Sequence, residues 1–224
     1  VVSALLCRAL CATYWKPVQA GCEPCTDRAR VEAIAGVPTV PERYVLERAA
    51  SPHAAAADEG LRLHPNDFEL PHARPLVVEG AGGLMVPYAM DPVFWQSELI
   101  AHLDLPVVVV ARSGLGTLNH TSLTLRSLAA DGHTVCGLIL VGPEHPENAR
   151  DLAALHGVPV LARVDWVEDV EGEFDRLAEQ LQADLLARVV VGGPRPTSHD
   201  DNEEVRPTTA GVPVESCNPA EAGG

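Results

Sequence analysis

Short apolar runs alternate with amphipathic stretches along the chain up to about residue 190. The runs are rich in Val, Ile and Leu, which is typical of strands that are buried on both faces of a sheet. Alternation of such strands with helices predicts an α/β fold, with a doubly wound, mostly parallel sheet and helices on both faces. The predicted strands are residues 13–18, 75–79, 105–111, 135–141 and 159–164.

The amphipathic stretches have apolar residues three or four positions apart, which is the period of a helix with one buried face. Ser51 and Pro52 mark the start of one such helix, because serine is favoured at the N-cap and proline at the first helical position. The predicted helices are residues 2–11, 27–34, 52–59, 94–103, 117–130, 146–156 and 172–188.

The composition changes at residue 191. Ten of the last 34 residues are Gly or Pro, none is aromatic, and six acidic residues face two arginines. Such a segment buries too little apolar surface to offset the entropy of ordering it. We therefore predict a folded domain over residues 1–190 and a disordered, acidic, Gly/Pro-rich tail over residues 191–224.

The formal net charge is −15, and no basic cluster interrupts the acidic background. This balance argues against nucleic acid and anionic membranes as partners. The longest apolar stretch, residues 105–111, is far shorter than the roughly 20 residues of a membrane-spanning helix. We expect a cytoplasmic protein.

Two of the predicted strands end in residues suited to phosphate chemistry, and ligands of open parallel sheets bind at the carboxyl ends of the strands. Glu79 ends one strand and precedes Gly80-Ala81-Gly82-Gly83. A carboxylate beside a glycine turn suits Mg²⁺ and phosphate, although an ordinary turn has the same pattern. Lys16, the only lysine beside fifteen arginines, lies near the carboxyl end of the first strand. It is either a solvated charge or a group for phosphate contact or proton transfer.

Two further positions allow more than one interpretation. Asp27 begins a predicted helix, where it is either the N-cap or a second metal carboxylate. The glycines of residues 114–116 precede a helix that starts near Thr117, and free amides at a helix start bind anions. Asn119 and His120 fit equally well as ordinary polar residues of the first turn. No nucleophile elbow and no HExxH spacing is present, which disfavours hydrolases and metalloproteases.

Four blocks carry a family resemblance: Tyr-Trp-Lys-Pro-Val-Gln-Ala-Gly at 14–21, Ser-Pro-His at 51–53, Val-Glu-Gly-Ala-Gly-Gly-Leu-Met-Val-Pro at 78–87, and Gly-Leu-Gly-Thr-Leu-Asn-His at 114–120. In this order and spacing the chain resembles ATP-dependent dethiobiotin synthetases over residues 1–188. The resemblance implies a P-loop NTPase-like α/β fold and a homodimer. It also implies the Mg²⁺-dependent conversion of 7,8-diaminononanoate, CO₂ and ATP to dethiobiotin, ADP and phosphate, a step of biotin biosynthesis.

The resemblance also implies roles for individual residues. Lys16 corresponds to the active-site lysine, and Asp27 and Glu79 correspond to the Mg²⁺ carboxylates. The remaining correspondences fall into three sets: Glu79, Gly80, Ala81 and Gly82 for the nucleotide phosphates; Val141, Gly142, Asp165, Trp166 and Val167 for the adenine; and Ala20, Thr117, Leu118 and Asn119 for the substrate, the last three across the dimer interface.

One departure from the family is large. No G-x-x-x-x-G-K-[ST] occurs in the sequence, and Val1 already stands in the helix that follows this loop in the family. We expect the first strand and the P-loop to be absent and the activity of this chain to be impaired. We also expect the chain to be a fragment or to have a misassigned start, with both elements encoded upstream in the complete gene product.

Three departures are smaller. Ala20 stands where a serine is frequent, Val141 where an adenine-reading asparagine is common, and Asp165 where a proline is usual. Loss of the asparagine predicts a weaker preference for ATP over GTP. Two alternatives remain open at this point: another protein of the P-loop group, such as an amidotransferase-associated synthetase domain or a partitioning-type ATPase, or a non-catalytic ligand-binding module.

Overall fold

The computed structural model describes residues 1–190, so the predicted tail lies outside the described residues. Within them, no helix is long and apolar enough to cross a membrane. The helices are α1 (Val2–Leu10), α2 (Asp27–Ala35), α3 (Pro52–Asp58), α4 (Gln96–Leu103), α5 (Thr117–Ala130), α6 (Pro146–His156) and α7 (Val170–Val190), with a 3₁₀ turn at Pro65–Asp67. The strands are β1 (Thr13–Trp15), β2 (Val18–Ala20), β3 (Thr39–Val40), β4 (Tyr44–Leu46), β5 (Leu76–Val78), β6 (Pro87–Met90), β7 (Val93–Trp95), β8 (Val107–Arg112), β9 (Val135–Val141) and β10 (Val160–Val164).

Two three-stranded parallel sheets form the centre of the fold. The first has the order β3-β1-β5, with Tyr14 of β1 opposite Val77 of β5. The second has the order β10-β9-β8, with Ile139 of β9 opposite Val110 of β8. Strands β2 and β4 form a parallel pair, and β6 and β7 form an antiparallel hairpin. The predicted α/β class with parallel pairing is confirmed.

Apolar helix faces cover both sides of these sheets. Helix α1 packs with α7 in a core that joins the two sheets, since Leu5, Tyr14, Ile139 and Phe174 belong to one buried cluster. A second cluster covers the other side of β1 with α3, α4 and the β6–β7 hairpin. A third lies between β8, β9, α5 and α6. Helices on both faces are the doubly wound arrangement that the alternating pattern predicted.

A cleft of about 930 Å³ lies between β5 and β8, the facing edge strands of the two sheets. Residues 76–78 and 107–111 line it together with apolar side chains of α1, α4 and α5. Within residues 1–190, β5 pairs only with β1 and β8 pairs only with β9. Lys16 and Glu79 also line this cleft, so its polar part adjoins the carboxyl end of β5.

The predicted strand over residues 13–18 is interrupted. Its first half pairs with β3 and β5, whereas residues 18–20 pair with β4. The change of partner occurs at Lys16-Pro17, where the Pro17 carbonyl accepts hydrogen bonds from the amides of Arg43 (2.8 Å) and Tyr44 (3.1 Å). Proline has no amide hydrogen to continue the ladder. The interruption therefore places Lys16 at a bend between two sheets.

The predicted helix over residues 94–103 begins later than expected, at Gln96. Phe94 and Trp95 belong to the β6–β7 hairpin, which the sequence pattern did not reveal. The Trp95 amide donates to Glu98 Oε2 at 2.7 Å, which caps the new start. The short strands β3, β4, β6 and β7 were all missed, because two to four residues are too few to show a period.

Candidate functional site

Lys16 is the centre of the polar group at the carboxyl ends of β1 and β5. Only 8% of the residue is exposed. Its ammonium makes ion pairs with the carboxylates of Asp27 and Glu79, the latter at 3.3 Å between Nζ and Oε1. The side chains of Asp27 and Glu79 remain 43% and 32% exposed. Two carboxylates and one ammonium leave a local charge of −1, open to solvent on the carboxylate side.

The position of Asp27 comes from the start of α2. Thr26 is the N-cap, and its hydroxyl accepts a hydrogen bond from the Ala29 amide at 3.2 Å. The interpretation of Asp27 as the cap was therefore wrong. Asp27 is the first helical residue, where its negative charge is favoured by the helix dipole. Its amide donates to Oε1 of the buried Gln19 at 3.1 Å, which leaves the carboxylate free to meet Lys16.

Glu79 is held by the strand that it ends and by a tyrosine. Its amide donates to the Trp15 carbonyl at 2.9 Å and so extends the pairing of β1 with β5. The hydroxyl of the fully buried Tyr14 donates to Glu79 Oε2 at 3.2 Å. Burial, followed by the Glu79 charge, raises the pKa of Tyr14 above its usual value, so the hydroxyl stays a hydrogen-bond donor. One carboxylate oxygen therefore faces Tyr14 and the other faces Lys16.

The glycine loop after Glu79 is tightly packed at its first residue. A Cβ on Gly80 would lie 2.5–2.8 Å from the side-chain amide of Gln96. Gly82 has a φ of +94°, a conformation that side chains disfavour. The Ala81 amide donates to the Tyr88 hydroxyl at 2.9 Å. Gly80 and Gly82 line the cleft together with Lys16 and Glu79, so the structure brings these predicted site residues together.

The arrangement suits a hard divalent cation. Asp27 and Glu79 converge on one ammonium, so their oxygens already share one centre of positive charge. Mg²⁺ binds through one or two carboxylates and completes its coordination with phosphate oxygens and water. The residues present therefore fit Mg²⁺ in the company of a phosphate-bearing ligand. Their assignment as metal ligands stays a prediction.

The start of α5 differs from the expectation of free amides. The Thr117 amide donates to the Gly114 carbonyl and the Asn119 amide to the Gly116 carbonyl, both at 3.1 Å. The Thr117 side chain is buried, with its hydroxyl 3.1 Å from that of Thr121. Of the first three helical amides, only that of Leu118 makes no hydrogen bond within residues 1–190. The prediction of a set of free amides at this helix start is therefore wrong for Thr117 and Asn119.

The same helix also contributes to the cleft beside Lys16, through residues that follow the predicted ones. His120, Thr121 and Thr124 line the cleft. Residues 117–119 are not among the described residues that line it. The resemblance assigns residues 117–119 to a site across a dimer interface, and that role stays a prediction. Ala20 ends β2, away from the cleft lining, and pairs with Leu46.

The residues predicted to flank an adenine form a second group at the ends of β9 and β10. Gly142 follows Val141 with a φ of +123°, and its carbonyl accepts from Arg163 Nη1 at 2.9 Å. Arg163 also makes an ion pair with Asp165. Trp166 is 77% exposed and Val167 packs against the first core. These residues are thus brought together, and their nucleotide-binding role stays a prediction.

Sequence reasoning missed four polar residues that build the site: Tyr14, Gln19, Tyr88 and Gln96. Gln19 stands three positions after Lys16, so its motif block was the available signal. Tyr88 and Gln96 belong to the hairpin and the helix after it. Nothing in their spacing indicates that they contact the glycine loop.

Comparisons of the sequence with known proteins found several related proteins. A protein-family model described as an AAA domain matches residues 1–173. The ATP-dependent dethiobiotin synthetase BioD of Afipia carboxidovorans is 43% identical over 183 residues, which cover 80% of this chain and 86% of that protein. The BioD of Novosphingobium aromaticivorans is 42% identical over 181 residues, covering 80% and 85%.

A longer relative contains the same region. The biotin biosynthesis bifunctional protein BioCD of Bordetella avium is 44% identical over 189 residues, covering 81% of this chain and 40% of that protein. The family model matches most of this chain, and the two synthetases match it over most of both sequences. The chain, with its P-loop NTPase-like α/β fold, therefore belongs to the family of ATP-dependent dethiobiotin synthetases.

Proposed function

We propose that the protein converts 7,8-diaminononanoate, CO₂ and ATP to dethiobiotin, ADP and phosphate in biotin biosynthesis. The observation that carries this proposal is the ion-pair group of Lys16, Asp27 and Glu79, next to the glycine loop of residues 80–83. A net negative charge beside a glycine loop suits a cation that accompanies nucleotide phosphates. Membership of the family supports the same reaction.

The proposed reaction has three steps. One substrate amine adds to CO₂ and loses a proton, which forms a carbamate. A carbamate oxygen attacks the γ-phosphorus of ATP, the bond to the bridging oxygen breaks, and ADP leaves. The second amine then attacks the carbonyl carbon of this mixed anhydride, and phosphate leaves as the ureido ring closes and a second proton is released.

The main task of the protein in these steps is to stabilise negative charge. The Lys16 ammonium is nearly buried and makes ion pairs with both carboxylates, so its positive charge acts on the site at short range. It would stabilise the carbamate and the charge that develops on the transferring phosphoryl group. Asp27 and Glu79 would hold Mg²⁺, which supplies further neutralisation at the phosphates when bound. Their ion pairs also fix the position of Lys16 before substrate arrives.

The remaining proposed contacts follow the positions of loops and helix ends. The loop from Gly80 to Gly82 would contact the nucleotide phosphates. The group around Gly142 and Asp165, with the exposed Trp166, would contact the adenine. Residues 117–119 would receive the substrate carboxylate of a second protomer, in a homodimer.

Low activity of this chain is also part of the proposal. The sequence contains no G-x-x-x-x-G-K-[ST], so it lacks the amides, lysine and hydroxyl that this loop supplies to phosphates and Mg²⁺. We also expect a small ratio of kcat/KM for ATP over GTP, because Val141 offers no side-chain amide to a base. Kinetics with both nucleotides measure this. A ratio as strict as that of a relative with asparagine at this position would contradict it.

Product analysis tests the proposed reaction. The full chain is incubated with Mg²⁺, ATP, bicarbonate and 7,8-diaminononanoate, and both phosphate and dethiobiotin are quantified. We expect slow phosphate release that depends on the diamine and equals the dethiobiotin formed. Isothermal titration with ATP and with the diamine accompanies the assay. Binding of either ligand without release of phosphate or formation of dethiobiotin would instead favour a non-catalytic ligand-binding module. The lack of a G-x-x-x-x-G-K-[ST] motif is the observation that favours this alternative.

A further inference from the structure

A closed set of hydrogen bonds joins the glycine loop to two buried side chains. The Ala81 amide donates to the Tyr88 hydroxyl at 2.9 Å, and this hydroxyl donates to Gln96 Oε1 at 3.2 Å. Gln96 Nε2 donates to the Gly82 carbonyl at 3.3 Å and so returns to the loop. Tyr88 is 1% exposed and Gln96 is 9% exposed. The backbone on both sides of the Ala81–Gly82 peptide is therefore held from inside the protein.

Tyr88 is itself held by aromatic neighbours. Its ring lies edge-to-face against Phe94, with centroids 5.7 Å apart, and against Phe68 at 6.2 Å. Burial raises the pKa of Tyr88 to about 12. The hydroxyl therefore keeps its proton at neutral pH, and it donates to Gln96 while it accepts from Ala81. A rotation of this ring would cost the packing of the whole aromatic cluster.

Gln96 is restricted in the same way. Its amide fills the space above Gly80, where a Cβ would lie 2.5–2.8 Å from its atoms. Its backbone amide donates to the Val86 carbonyl at 3.0 Å, which ties the start of α4 to the residues after the loop. Gln96 is thus in contact with Gly80 and bonded to Gly82, on two sides of the loop.

These contacts decide which loop amides remain available. Ala81 is turned towards Tyr88 and does not line the cleft, whereas Gly80, Gly82 and Gly83 line it with Lys16 and Glu79. Within residues 1–190, the amides of these three glycines donate no hydrogen bond. Free backbone amides along a glycine loop bind anions such as phosphate.

We propose that Tyr88 and Gln96 are positioning residues, which hold the loop of residues 80–83 so that its glycine amides meet the phosphates of the nucleotide. This inference rests on the proposed function. Neither side chain touches the reacting atoms, and both act through the loop backbone. Their loss releases the Ala81 amide and the Gly82 carbonyl, and the loop then samples other conformations.

Hydrogen exchange of the full chain tests the holding of the loop without any ligand. Tyr88→Phe keeps the ring and removes the hydroxyl that accepts from the Ala81 amide, so we expect exchange of the Ala81 amide to become roughly tenfold faster, as for loss of one buried hydrogen bond. Tyr44→Phe is the matched control, because Tyr44 lies in the same aromatic cluster and its hydroxyl donates to Asp67 Oδ2 at 2.9 Å, outside the loop. Equal exchange of the loop in both variants would overturn the proposal.

Kinetics of the same variants test the purpose of the holding. In Tyr88→Phe and Gln96→Leu we expect kcat/KM for ATP to fall roughly tenfold, while KM for the diamine stays unchanged and Tyr44→Phe behaves as wild type. Parallel losses for ATP and the diamine, or a loss that Tyr44→Phe shares, would indicate a merely structural role and overturn the proposal.

The two hypotheses fail in different ways. A wild-type chain without diamine-dependent phosphate release refutes the proposed function. In that case protection of residues 79–84 by Mg²⁺ and ATP decides the positioning role: protection in wild type that is lost in Tyr88→Phe and Gln96→Leu supports it. Protection that is absent from wild type, or kept in both variants, overturns it. Gln96→Leu keeps the question decidable if Tyr88→Phe does not fold.

Discussion

The carboxyl ends of β1 and β5 and the cleft between β5 and β8 are neighbours built on different principles. At the strand ends, Lys16 makes ion pairs with Asp27 and Glu79. The Tyr14 hydroxyl donates to Glu79, and the Gln19 side chain accepts from the Asp27 amide. In the cleft, two strand edges have no partner within residues 1–190, and apolar side chains line about 930 Å³. The charged side chains therefore have partners among themselves, whereas the facing edges of β5 and β8 have no strand partner within residues 1–190.

This difference teaches that the chemistry and the stability of the molecule depend on separate parts. Ion pairs and hydrogen bonds act over one or two contacts, so the group around Lys16 needs only the strands and the helix that carry it. A parallel sheet gains its stability from continuous pairing and burial on both faces. Changes in the two regions should consequently have separate effects on activity and on association.

The largest effect is expected at Lys16. In Lys16→Gln the two carboxylates lose their counter-charge, and we expect kcat to fall about 10²–10³-fold, the loss typical of one charge-stabilising donor. The free energy of unfolding should fall by only about 1 kcal/mol, because both carboxylates are partly exposed and water screens them. Steady-state kinetics and thermal melts measure these two quantities. Lys16→Arg is the matched control for charge, and wild-type kcat in Lys16→Gln would refute the role of the ammonium.

The next effect concerns association through the cleft. Unpaired edge strands and exposed apolar surface favour intermolecular contacts, so we expect the chain alone to be marginally stable or to aggregate. Val110 lines the cleft on β8 and is 49% exposed, and Val110→Lys should reduce aggregation because an edge lysine opposes strand pairing. Light scattering during heating measures this.

Lys16→Gln serves as the contrasting variant for association, since it should leave aggregation unchanged while it lowers activity. A sharp, reversible thermal transition of the wild-type chain would show that the cleft causes neither aggregation nor marginal stability.

A smaller effect is expected within the glycine loop. Gly80→Ala places a methyl group against Gln96, and we expect the free energy of unfolding to fall by about 1–3 kcal/mol, as for overpacking of a core. At Gly83 a Cβ meets nothing within 4 Å, so Gly83→Ala should change stability by less than about 0.5 kcal/mol. Urea unfolding of both variants measures the difference. Equal losses would mean that the Gln96 contact does not constrain the loop.

The smallest effect is expected at Tyr14. Tyr14→Phe removes the hydrogen bond to Glu79 and should lower the free energy of unfolding by about 1 kcal/mol at neutral pH. Burial raises the pKa of Tyr14 in the folded state, so above about pH 10 the unfolded chain has lost a proton that the folded chain keeps. Stability of the wild type must then fall as pH rises beyond that value.

Denaturant unfolding between pH 8 and pH 11 measures this dependence. Tyr14→Phe should show a shallower fall in stability than wild type. Tyr44→Phe should alter this fall less, because burial is the first cause of the raised pKa of Tyr44 and this residue is only partly buried. Identical slopes for wild type and Tyr14→Phe would contradict the raised pKa of Tyr14.

Sequence patterns were sufficient for the longer elements and for part of the site. The apolar run over residues 135–141 has the same bounds as β9, and the run over 105–111 overlaps β8. Lys16 and Glu79 were recognisable because each ends a strand, and parallel strands bring their carboxyl ends together. Their ion pair agrees with that reasoning. The roles of the predicted site residues remain to be tested by the variants above.

The sequence by itself determined the α/β class, the family and the residues that end the strands, because periodicity and motif spacing are local properties of the chain. Only the tertiary structure decided that Thr26, and not Asp27, is the N-cap of α2 and that Asp27 makes an ion pair with Lys16. The tertiary structure alone also brought Tyr88 and Gln96 onto the glycine loop and opened a cleft between β5 and β8. These features depend on strand pairing and on hydrogen bonds across the fold, whose geometry is absent from any local pattern of residues.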